Sequence, residues 1–189
     1  MKATKTIKLF FPGRRYSVDR SLLYFLDKYI EGESIYFKYD SPRGEQSLES
    51  LENLEKEAYE FVLNKIKDID LSSYDEVIFI SKSLGTYIAS KLRENLKLKC
   101  TKFIALTPIE ETIPFLKQTD FIVTSLNDKY LDVSALKEKE NRFPFLTILH
   151  DLPHSLEYEY NLKKTFEVQA YLIDLALNYL DTSYKDFVE

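Results

Sequence analysis

The sequence predicts an α/β fold, a three-layer αβα sandwich around a mostly parallel six-stranded sheet, and two patterns carry that expectation. Short apolar runs rich in β-branched and aromatic residues alternate with helical spacing along the whole chain, as in successive βαβ crossovers. Most of these runs are continuous rather than alternating, so both faces of the strands need cover, as in a parallel sheet lying between helices.

The elements follow in order. "TIKLFF" (6 to 11) is the first strand, and Leu22, Leu23, Leu26, Tyr29 and Ile30 form an apolar stripe after it. "SIYFKY" (34 to 39) is the second, followed by Leu51, Leu54, Ala58, Phe61, Val62 and Ile66 on a charged helix. The acidic stretch 45 to 60 reads as the solvated face of that helix rather than as a docking surface. "EVIFI" (76 to 80) leads into the stripe Leu84, Ile88, Leu92 and Leu96. "KFIAL" (102 to 106) and "DFIVTS" (120 to 125) leave room for short helices after Pro108 and Tyr130. "FLTIL" (145 to 149) precedes a closing stripe of Leu162, Phe166, Ala170, Ile173, Leu177 and Leu180. Ligands of such sheets sit at the carboxyl ends of the strands, so the segments just after each strand are where a site is expected.

A chain of 189 residues, 44% of them hydrophobic, can bury one core without disulfides or metals, so a single domain over 1–189 is expected. The 26 basic and 31 acidic residues are scattered and leave a net charge of -5, which argues against nucleic acid or an anionic membrane as partner. The apolar run near the N-terminus ends at Pro12-Gly13, too early for a signal peptide or a membrane span, and cytoplasmic residence is expected. The single cysteine, Cys100, reads as a semi-buried small residue at a strand start, in keeping with a reducing compartment.

Of four glycines, Gly32 and Gly44 suit a helix end and a surface turn, whereas Gly13 and Gly85 stand just past strand ends. The stretch "FISKSLGTYIA" (79 to 89) runs from a strand into a helix. A sharp strand-to-helix turn around a nucleophile needs small residues two before and two after it. Ser83 has Ser81 and Gly85 there; Ser81 would have Phe79, whose ring has no room. Ser83 is therefore the candidate nucleophile and Ser81 a small spacer.

Ser81-Lys82-Ser83-Leu84-Gly85 resembles the G-x-S-x-G elbow of the α/β-hydrolases, with serine in place of the first glycine. The likeness is to small lid-less bacterial members of esterase type, trimmed to six strands in the spatial order second, first, third, fourth, fifth, sixth. The resemblance implies a Ser-His-Asp triad in the chain order nucleophile, acid, histidine. Asp128, in "LNDKYLD" after the fifth strand, stands where the acid loop resembles the family's, with Asp132 and Asp151 as rivals; the glycine usual three residues before it is Ser125. Both histidines of the chain fall in "HDLPHSLE" after the sixth strand. His154, further out than His150, is the preferred base because the family's histidine loop has this reach.

The resemblance also implies an oxyanion hole made of backbone N–H groups. Leu84 supplies one; Arg14, in "LFFPGRRYS", supplies the other, with Arg15 as the alternative and Pro12 where the family carries histidine. No metal or organic cofactor is implied. Lids of the family are inserted where this chain has only "TPIEETIPFLKQT" (107 to 119), so an open site is expected. Arg14, Arg15, Lys82, Glu110 and Glu111 lie on the edge loops and either line it for a small polar substrate or are solvated charges. The expected activity is cleavage of an ester or thioester of a small acyl substrate. A hydrolase-like fold without catalysis that binds a ligand or partner, and an acyltransferase using the same residues, remain alternatives. A nucleotide-binding protein is disfavoured, since neither phosphate-binding glycine motif occurs.

Overall fold

The six apolar runs become one all-parallel sheet in the order β2-β1-β3-β4-β5-β6, in a computed structural model that describes residues 4–39, 48–137 and 142–182, with backbone alone for 48–54, 135 and 137. The strands are β1 (Thr6–Phe11), β2 (Glu33–Tyr36), β3 (Glu76–Lys82), β4 (Lys102–Leu106), β5 (Phe121–Ser125) and β6 (Leu146–Leu149). The order is the expected one. The chain steps outward from β1 to β2, then returns to the other side of β1 and continues from β3 to β6. Loops leaving β1 and β3 therefore diverge over the switch point, which is where such sheets open a crevice.

Alternation of side chains along the strands divides the core into two layers. Ile7, Leu9, Phe11, Val77 and Phe79 pack with α2 (Leu48–Ile66) and α3 (Leu84–Asn95). Phe10, Ile78 and Ile80 pack with α1 (Ser21–Tyr29) and α5 (Leu162–Asp181). A short α4 (Ser134–Lys137) and two 3₁₀ turns, Leu71–Ser73 and Glu110–Phe115, complete the described elements. Full cover on both faces holds for β1, β3, β4 and β5; the edge strands β2 and β6 are only partly buried.

Four helical stripes need correction. Tyr29, Phe61 and Leu96 are exposed rather than core residues. On α5 the buried face is Thr165, Gln169, Leu172, Ile173, Ala176 and Tyr179, about one residue round from the expected one. Leu162, Phe166 and Ala170 face solvent instead. Gly44 and residues 45–47 of the acidic stretch lie outside the described residues, as do the side chains of Leu51 and Leu54. Among the described residues no helix is long and apolar enough to cross a membrane.

Candidate active site

The turn from β3 into α3 holds Ser83 at φ 53° and ψ -124°, a left-handed region that non-glycine residues rarely occupy. Its amide is fixed by the Leu106 carbonyl at 3.0 Å. Both small neighbours are needed. A β-carbon on Gly85 would lie 1.9 Å from the Phe11 carbonyl oxygen. Ser81 is wholly buried, and its hydroxyl donates to the Ile104 carbonyl at 2.8 Å, so this departure from glycine is accommodated by a hydrogen bond to β4.

Ser83, His154 and Asp128 are brought together. His154 Nε2 lies 2.7 Å from Ser83 Oγ, and Nδ1 lies 2.8 Å from both carboxylate oxygens of Asp128. Facing a carboxylate, which only accepts, Nδ1 carries the proton; Nε2 then presents its lone pair to the serine hydroxyl. Burial disfavours the imidazolium and holds the His154 pKa below its ordinary 6.5, against the opposing pull of Asp128. The Asp128 side chain is fully buried, and its Oδ1 also accepts the Tyr130 amide at 2.9 Å. The Tyr130 ring packs in a T-shaped arrangement against the imidazole, with centroids 4.6 Å apart.

The rival residues sit elsewhere. His150 and Asp151 are exposed, and exposed Asp132 accepts the Ser134 amide at 3.0 Å. Ser125, the second departure from glycine, is buried, and its hydroxyl accepts the Leu152 amide at 3.3 Å and the Asn127 amide at 3.4 Å. The acid loop is thereby tied to the histidine loop.

The loop after β1 passes over the elbow so closely that a β-carbon on Gly13 would meet Ser83 Cβ at 3.1 Å. Arg14 follows it, and Leu84 is the first residue of α3, where unsatisfied amides collect. The Tyr39 hydroxyl donates to the Pro12 carbonyl and steadies this loop. Around Ser83 and His154 opens a cavity of about 860 Å³, with Arg14, Arg15, Glu110 and Glu111 in its walls together with Glu55, Lys129 and Tyr130.

Lys82 departs from the expected place on the rim. It lines the cavity only from beneath and is itself wholly inaccessible. Its ammonium donates to the Thr107 hydroxyl and, at 2.6 Å, to the main-chain carbonyl of His154. Burial pushes its pKa down to about 7, with Asp128 and Glu157 opposing. A lysine beside a candidate nucleophile reads as surface in a sequence, and Tyr130 and Thr107 gave no signal either.

No family model matches the chain, and no curated protein matches it. Solved structures do. A lid-less α/β serine hydrolase from Xanthomonas campestris is 11% identical with a TM-score of 0.62, covering 97% of this chain and 86% of that one. An α/β serine hydrolase homologue from Coxiella burnetii is 13% identical with a TM-score of 0.60, covering 92% and 86%. An esterase from Pyrococcus furiosus is 14% identical with a TM-score of 0.54, covering 94% and 84%. The fold is that of the α/β-hydrolases.

Proposed function

We propose that the chain is a serine hydrolase of carboxylesterase type that cleaves a carboxylic ester or thioester of a small substrate. The observation that carries this is the pair of hydrogen bonds running from Ser83, held in a strained turn, through His154 to Asp128. A protein that only binds has no need to keep an imidazole against a serine in such a turn. His154 takes the proton from Ser83 Oγ as the oxygen attacks the carbonyl carbon, and Asp128 holds the imidazole and stabilises its charge. The Leu84 and Arg14 amides receive the oxyanion, each contributing roughly 3 kcal/mol of transition-state stabilisation. His154 then protonates the leaving alcohol or thiol, and water, activated by the same imidazole, releases the acid and restores Ser83.

The stretch from 107 to 119 contributes only a 3₁₀ turn beside the cavity, which leaves the site open and builds no long wall for an extended acyl chain, and this favours a small substrate. Intact-mass labelling with a small fluorophosphonate tests the reading without knowledge of the substrate. One stoichiometric adduct is expected, lost in Ser83→Ala and in His154→Ala; folded wild type that takes no adduct overturns it.

A further inference from the structure

We infer that Lys82 is a positioning residue for the general base: its buried ammonium ties the main chain of His154 to the end of β4 and so holds the imidazole over Ser83. The inference rests on the hydrolase reading above. Lys82 shares the parity of Ile78 and Ile80, which pack on the α1 and α5 side of the sheet. The histidine loop leads into α5, so a long side chain at this position reaches under it. One residue thus puts the nucleophile's strand, the residue after β4 and the histidine loop on a single nitrogen, which keeps a donor for each oxygen with or without its third proton.

An ammonium is not a natural core filler. Burying it costs several kcal/mol unless its donors are satisfied, and an aliphatic residue would fill the volume without that cost. Here the donors go to two oxygens whose places matter to the site, while the ring of Tyr16 lies 5.0 Å from Nζ. Asp128 and Glu157 supply the opposing charge without an ion pair to Lys82 among the described residues. The segments it joins are strained. Ser83, Thr107 and Leu156 all have positive φ, at 53°, 43° and 60°, and such conformations persist only where the surroundings over-determine them. Leu156 closes the turn around His154 through its amide to the Pro153 carbonyl at 2.9 Å. Without the ammonium, the His154 carbonyl loses a buried donor and the turn loses its tie to the sheet.

The test follows the low-field Nδ1 proton of His154 by NMR, together with the rate of fluorophosphonate labelling, in wild type, Lys82→Met and Lys82→Gln. Exposed His150 serves as reference for the chain's other imidazole. In Lys82→Met the Nδ1 proton should exchange with water at least about tenfold faster while the β3 amides exchange unchanged. Labelling should fall by about 10- to 100-fold, and Lys82→Gln, which keeps a donor, should recover part of both. If Lys82→Met does not fold, Thr107→Val, which removes one acceptor at nearly constant volume, should move both readouts in the same direction. Folded Lys82→Met with an unmoved Nδ1 proton overturns the assignment, and so does an unmoved Thr107→Val where that variant decides. Wild type that takes no label defeats the hydrolase reading instead, and the Nδ1 exchange still decides whether Lys82 holds His154.

Discussion

Gly85 packs so tightly under the end of β1 that a β-carbon on it would sit 1.9 Å from the Phe11 carbonyl oxygen and 2.6 Å from that of Pro12. Both obstacles are main chain, so neither can swing aside. Gly85→Ala should therefore destabilise the protein by on the order of 3 kcal/mol or more. Ser81→Ala, which loses one buried hydrogen bond to Ile104, should cost only about 1 kcal/mol. Urea unfolding of the two variants checks this; comparable losses would mean that the elbow is looser than the geometry requires.

Asp128→Asn separates the role of the acid from its packing. The amide oxygen can still accept from the Tyr130 amide, so the loop should keep its shape. Its NH₂ group cannot accept the Nδ1 proton, and the imidazole is pushed toward the tautomer with the proton on Nε2, which has no lone pair for Ser83. Labelling should drop by roughly 10³- to 10⁴-fold at unchanged melting temperature. A loss below tenfold would remove Asp128 from the reaction.

How much of this was legible in sequence depends on what kind of contact each residue makes. The covered parallel sheet and the elbow followed from local rules, because apolar continuity demands cover and the turn demands small residues at 81 and 85, whereas the strand order came from the family resemblance. Asp128 and His154 came from the resemblance to the acid and histidine loops of the α/β-hydrolases, which ranked them above Asp132, Asp151 and His150 without removing those rivals. Lys82 was misplaced because a charge reads as solvated unless its partners are known, and its acceptors lie in distant loops. The face of α5 was misjudged for a related reason. Thr165 is buried with its hydroxyl bonded to Tyr158, while apolar Leu162 and Phe166 remain outside.

The pH dependence of labelling should report His154. Only neutral imidazole can take the serine proton, and burial holds the folded pKa below 6.5. The acid limb of the rate that belongs to the imidazole should thus have its midpoint below the ordinary histidine value of 6.5. A midpoint above the ordinary histidine value would contradict the buried, neutral ring.

Arg93 and Asp120 form a bidentate buried pair at 2.7 and 2.9 Å, with Arg93 in the last turn of α3, at the other end of that helix from Ser83. Asp120→Asn leaves the guanidinium without its charge partner and should cost about 3–5 kcal/mol. The folded fraction should label at the wild-type rate, since neither residue touches Ser83, His154 or Asp128. A proportionate loss of labelling rate in folded protein would show that the pair reaches the site after all.

The stability of the whole protein should carry the signature of Lys82. Its ammonium has a folded pKa of about 7 against an ordinary 10.5. Between those values the unfolded chain binds a proton that the folded chain does not, so unfolding becomes harder as pH rises, by up to about 1.4 kcal/mol per unit. Below pH 7 the lysine is protonated in both states and the penalty of burying its charge is fully present. Burial of Cys100, Tyr16 and Tyr39 works in the opposite sense at higher pH, because it raises their pKa values. Those groups are common to Lys82→Met and cancel in the comparison. The stability of wild type relative to Lys82→Met, from urea titrations between pH about 7 and 9, should therefore climb steadily with pH. A flat difference would mean that the lysine keeps its ordinary proton affinity, which a sealed position beneath the site does not permit.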